Sequence, residues 1–68
     1  MNREKLQKAL EELVDKTSIS IVTEELANIC FLKAAHVREN WQDHTLADNW
    51  RKACAVLSKA SLKLGTWF

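Results

Sequence analysis

The chain has 68 residues, 47% of them hydrophobic and 28% charged, with a formal net charge of +1. That size predicts one domain, which buries only about 60% of its unfolded surface and gains stability from a second copy. The composition excludes an intrinsically disordered chain, and a charge so near zero excludes bulk attraction to nucleic acid or to an anionic membrane.

No apolar run approaches the ~20 residues of a membrane span, and the charged residues 1–5 are not a signal-peptide core. Two cysteines with one glycine and no proline do not make a disulfide scaffold. Cys30 and Cys54 each fall on an apolar helical face and are expected to be free, buried thiols. The opening Met and the lack of a tag lead to the expectation of a complete small protein of the cytoplasm.

Helix 1 is predicted over 3–16, with Asn2 as N-cap and Met1 and Leu6 as a hydrophobic staple. Leu6, Leu10 and Leu13 recur at spacings of four and three and form one narrow apolar stripe. Glu4 to Lys8 and Glu12 to Lys16 have the favourable acid-before-base order of a solvated face. Residues 17–20, Thr-Ser-Ile-Ser, break the pattern, and Ser18, Ser20 or Thr23 can each cap the next helix.

Helix 2 is predicted over 20–41 and organises the chain. Val22, Leu26, Ala27, Ile29, Cys30, Phe31, Ala34, Val37 and Trp41 span an arc of about 200°, wider than a surface helix needs. Residues 42–44 form the corner, and Thr45 caps helix 3, predicted over 45–64. Leu46, Trp50, Ala53, Leu57, Ala60 and Leu64 make an unbroken heptad seam. Gly65 fits the position that ends a helix, and the apolar pair Trp67 and Phe68 must then fold back or meet a partner.

The expected architecture is all-α, an up-down-up three-helix bundle completed by dimerisation. Its expected core is Leu6, Leu10, Leu13, Leu26, Ile29, Cys30, Ala34, Ala53, Leu57, Ala60 and Leu64. An antiparallel register pairs Val37 with Trp50, Ala34 with Ala53, Cys30 with Leu57 and Ala27 with Ala60. Helix 1 then pairs with helix 2 through Leu13 and Val22, Leu10 and Leu26, and Leu6 and Ile29. In that register helix 1 leaves the far end of the hairpin uncovered by ~10 Å.

Catalytic chemistry finds no footing. There is no phosphate loop, HExxH or CxxC, and His36 and His44 sit either side of a predicted helix end. Glu11 with Glu12 and Glu24 with Glu25 lie on polar faces, away from any pocket that would tune a carboxyl. No enzyme activity, cofactor or metal is expected.

The expected function is a non-catalytic protein–protein interaction module: an adaptor, assembly subunit or inhibitor. Its partner is another protein or a second copy in a homodimer, with no membrane involved. The candidate surface is the exposed hairpin end: Val37, Trp41, Leu46 and Trp50, rimmed by Arg38, His44 and Arg51, with Trp67 and Phe68 as a second apolar feature. Trp and Arg are enriched where truncation weakens binding. The competing reading has Trp41 and Trp50 stack across the corner and complete the core. The alternative function is a three-helix nucleic-acid-binding regulator using Arg51, Lys52, Lys59 and Lys63 as a phosphate track. Against it, recognition residues are sparse and the helices are long for a helix-turn-helix.

Overall fold

The computed structural model describes residues 2–68, which are all-α, with no strand among them. Three helices follow in series: α1 (Arg3–Lys16), α2 (Ile19–His36) and α3 (His44–Trp67). A π turn, Val37–Trp41, prolongs α2. Each helix begins on a capping side chain that takes up an orphan N–H. Asn2 Oδ1 accepts from Lys5 N at 2.9 Å, and Ser18 Oγ accepts from Ile21 N at 3.1 Å. Met1, the expected staple residue, lies outside the described residues. Thr17 closes α1, donating its N–H and its Oγ1 to the Leu13 carbonyl at 3.1 and 2.7 Å.

Two expected boundaries are corrected. Asp43, not Thr45, caps α3, its Oδ1 accepting from Leu46 N at 2.9 Å. The corner therefore shortens to Gln42 and Asp43. Gly65 does not end α3, which runs on to Trp67, with Phe68 N donating to the Leu64 carbonyl at 3.1 Å. A lone glycine costs a helix about 1 kcal/mol but stops it only where the chain turns back. Here the next turn is held by Thr66 Oγ1 on the Lys63 carbonyl at 2.7 Å and by the Lys63 ammonium 5.8 Å from the Trp67 ring centre. Trp67 and Phe68 consequently do not fold back, and both are exposed.

α2 and α3 form an antiparallel hairpin that contains the core. Thr23, Ala27, Cys30, Ala34 and Val37 are the buried residues of α2 and its π turn, at spacings of four and three. Ala47 faces them, only 1% exposed, followed along α3 by half-buried Trp50, Ala53, Cys54, Leu57, Ala60, Ser61 and Leu64. Small side chains along both helices let the backbones approach closely. Thr23 is polar and buried, and its Oγ1 is satisfied by the Ile19 carbonyl at 2.7 Å. At the far end Ser61 Oγ donates to the Ser20 carbonyl at 3.0 Å.

That last bond revises the expected register. Pairing Ala27 with Ala60 would set Ser20 level with Trp67, six residues beyond Ser61. Six residues of rise are ~9 Å, so the hairpin is offset by between one and two turns. In the observed register Ala47, early in α3 after the Asp43 cap, enters the buried seam.

The expected burial of helix 1 is also corrected. No residue of α1 is buried, and Leu6, Leu10 and Leu13 are 46%, 39% and 51% exposed. Leu26 and Ile29, their expected partners on α2, are exposed as well. α1 nears α2 beside the connecting turn, and only its last turn, where Val14 shares an opening with Leu64 and Phe68, comes near α3. The Cα extents of 37 × 31 × 14 Å describe a single flat layer with α1 standing out from the hairpin as an arm. Its radius of gyration is 13.7 Å, whereas a compact chain of this length has about 11 Å. The link between α1 and α2 is only Thr17 and Ser18, with no glycine in it.

Candidate functional site

The corner of the hairpin carries most of the candidate side chains. α2 follows ordinary i to i+4 bonding up to His36, then widens into the π turn. Such a turn accommodates an extra residue and rotates everything after it, a device common at functional sites. Val37, its first residue, is buried and belongs to the hairpin core. Trp41, its last, is turned outward and 69% exposed.

The ring beside Trp41 is His36, edge-on, with centroids 6.4 Å apart and planes at 60°. Trp50 is half-buried in the seam, and among the described residues Trp41 pairs with His36 and not with Trp50. Asn40 Nδ2 locks the turn from inside, lying 3.1 Å from His36 Nδ1 and donating to the His36 carbonyl at 3.0 Å. Gln42 then takes the left-handed conformation, with φ 53°, and reverses the chain into α3. A non-glycine residue there is strained by about 1–2 kcal/mol, and the strain is held by the structure on either side.

Beside the corner a groove of about 510 Å³ opens between α2 and α3. It is lined by Phe31, Ala34, Ala35, Arg38, Glu39, Arg51 and Cys54, of which Phe31 is largely exposed and Ala34 buried. Arg38 and Arg51 line the same groove, together with Glu39. Leu46 and His44 are exposed on the first turn of α3. Arg51 lies 3.5 Å from Asp48, and both side chains are more than half exposed, so the pair contributes little. Sequence reasoning missed Phe31 as part of the groove lining and His36 as the aromatic neighbour of Trp41. The His36, Asn40 and Trp41 spacing of four and one was visible, but its meaning depends on the π turn.

The other candidates lie apart from this corner. Lys52, Lys59 and Lys63 are exposed along α3, with no carboxylate partner among the described residues. Lys63 is nonetheless drawn over Trp67. Trp67 and Phe68 sit at the opposite end of the hairpin, where a second opening is lined by Val14, Ile19, Leu64 and Phe68. Among the described residues no three His, Cys, Asp or Glu side chains converge as a metal site would require. None of their helices is long and apolar enough to cross a membrane.

A third feature was not foreseen. Because α1 stands away from α2, an apolar cleft of about 200 Å³ opens between them, lined by Leu10, Leu13, Ile21, Val22, Leu26 and Ile29. Sequence reasoning had filled this space with α1 itself. No protein-family model, curated protein or solved structure matches the chain.

Proposed function

We propose that the protein is a non-catalytic interaction module of the cytoplasm that binds another protein through the corner of its hairpin. The observation that carries this reading is Trp41, displayed 69% exposed by the π turn at the hairpin corner, with Arg38 and Arg51 lining a groove at the same corner. A large rigid ring displaces much water at little entropy cost, and Arg38 and Arg51 supply charged hydrogen bonds at the edge. A groove lined by Phe31, Ala34 and Ala35, in which Arg38 and Arg51 outnumber Glu39, suits a helical or extended segment carrying an apolar anchor and an acidic flank. Free cysteines, one of them buried in the hairpin, support a reducing compartment.

The test compares Trp41→Ala with the parent in thermal melting and in affinity capture from the source cell. An exposed indole contributes little to folding, so the variant should melt within a degree or two of the parent while specific partners are lost. Retention of every partner would sink the reading. A salt-sensitive shift of labelled duplex DNA or RNA, abolished by Lys52→Glu with Lys59→Glu, would move the function to the α3 stripe.

A further inference from the structure

We infer that His36 is a proton-sensitive latch on the π turn: its neutral ring holds Asn40 and sets Trp41, and uptake of a proton at Nδ1 releases both. The latch regulates the corner to which a partner is assigned above, and it rests on that reading for its use. The coupling itself belongs to the free chain.

The chemistry follows from one amide. Asn40 Nδ2 lies 3.0 Å from the His36 carbonyl oxygen and 3.1 Å from His36 Nδ1. A carbonyl oxygen only accepts, so the end of the Asn40 amide facing it is the NH2 group, which only donates. The same NH2 group faces Nδ1, and Nδ1 must therefore accept. That fixes the ring as the neutral tautomer with its proton on Nε2. An imidazolium carries a proton on both nitrogens, and the pair at 3.1 Å would then set donor against donor.

The backbone carries the consequence to Trp41. His36 ends the regular part of α2, and Asn40 and Trp41 are the last two residues of the π turn. Asn40 thus ties the far side of the turn back to the residue that precedes it. The His36 ring meets Trp41 edge-on, with centroids 6.4 Å apart, a contact that depends on which edge is presented. Relief of the donor clash requires the ring to turn or Asn40 to withdraw. The first changes the edge shown to Trp41, and the second unties the turn that positions it. Gln42, strained at φ 53°, follows directly, and such a residue keeps its conformation only while its neighbours hold it.

His36 is exposed, so protons reach it freely. Lys33 shares a shallow surface opening with it, and Arg38 and Glu39 follow it on the π turn. α3 packs on that turn and opens with Asp43, held as the cap on Leu46 N, and with His44. The ion pair among the described residues is Arg51 with Asp48, so none of these groups is paired with His36. Histidine is the side chain that ordinarily changes charge between about pH 5 and 8, which makes the latch a sensor of mild acidification.

Nuclear magnetic resonance of the full chain, without any partner, provides the test. At about pH 8, long-range proton–nitrogen correlation should find His36 protonated on Nε2, and cross-relaxation should join its ring to that of Trp41. On acidification to about pH 5 that cross-relaxation should fall severalfold, in step with the titration of the His36 ring. Asn40→Ala should show the weakened contact from the start and little further change, and His44→Gln should behave as the parent. Failure of this latch is distinct from failure of the Trp41 docking reading, which the capture experiment measures separately. A neutral His36 protonated on Nδ1 overturns the inference. So does a His36–Trp41 contact that is unchanged by acidification, or one that Asn40→Ala leaves as strong and as pH-dependent as in the parent.

Discussion

Replacing Ala47 by leucine tests the hairpin seam at its tightest point. Ala47 is 1% exposed, and it faces α2, where Ala34 and Val37 are also buried. Leucine adds three carbon atoms where the surrounding backbones leave no room, and such overpacking costs about 1–3 kcal/mol. In a domain of this length each kcal/mol lowers Tm by about 4–8 °C, so a loss of about 5–20 °C is expected. The assay is thermal melting by circular dichroism at one fixed protein concentration, so that self-association does not enter the comparison. Ala9→Leu is the control: Ala9 is exposed on α1, and the added carbons there reach solvent. The control should melt within two degrees of the parent. If Ala47→Leu does so too, Ala47 does not face α2 as described, and the register argued from Ser61 and Ser20 falls with it.

The left-handed Gln42 yields a prediction of opposite sign. Gln42→Gly removes the Cβ strain at φ 53° and should stabilise by about 0.5–1 kcal/mol, after the greater freedom of glycine in the unfolded chain is subtracted. A fall in Tm would mean the corner is not left-handed in solution. The thiols form a third case, with Cys30 buried and Cys54 half-buried. In the native protein Cys54 should alkylate well before Cys30, and both should react once the chain is denatured without reductant. Thiols that resist alkylation in denaturant would establish a disulfide and refute the free-cysteine reading.

Local chemistry by itself determined the elements of this protein. Hydroxyl and amide side chains at Asn2 and Ser18 mark helix starts because a short polar side chain can reach the N–H two or three residues on, whatever the fold around it. The buried face of the hairpin was half legible. Ala27, Cys30, Ala34 and Val37 lie inside the apolar arc of α2, and Thr23 falls in the middle of the same arc, a polar residue whose burial is tolerated because its hydroxyl is satisfied by the Ile19 carbonyl.

Tertiary structure decided which of two apolar faces of α2 was used. Ala27, Cys30 and Ala34 pack against α3 and are buried, whereas Leu26 and Ile29 face Leu10 and Leu13 of α1 across a cleft that stays open, and remain exposed. Hydropathy ranks residues by their tendency to be buried, not by how closely a neighbour approaches to bury them. Trp41 shows the same division at the candidate site. The arc of α2 assigned it to the apolar side, and a single residue inserted by the π turn rotated it out to water. Helix periodicity is read from a constant 100° per residue, so a local change in that step is invisible until the backbone is seen.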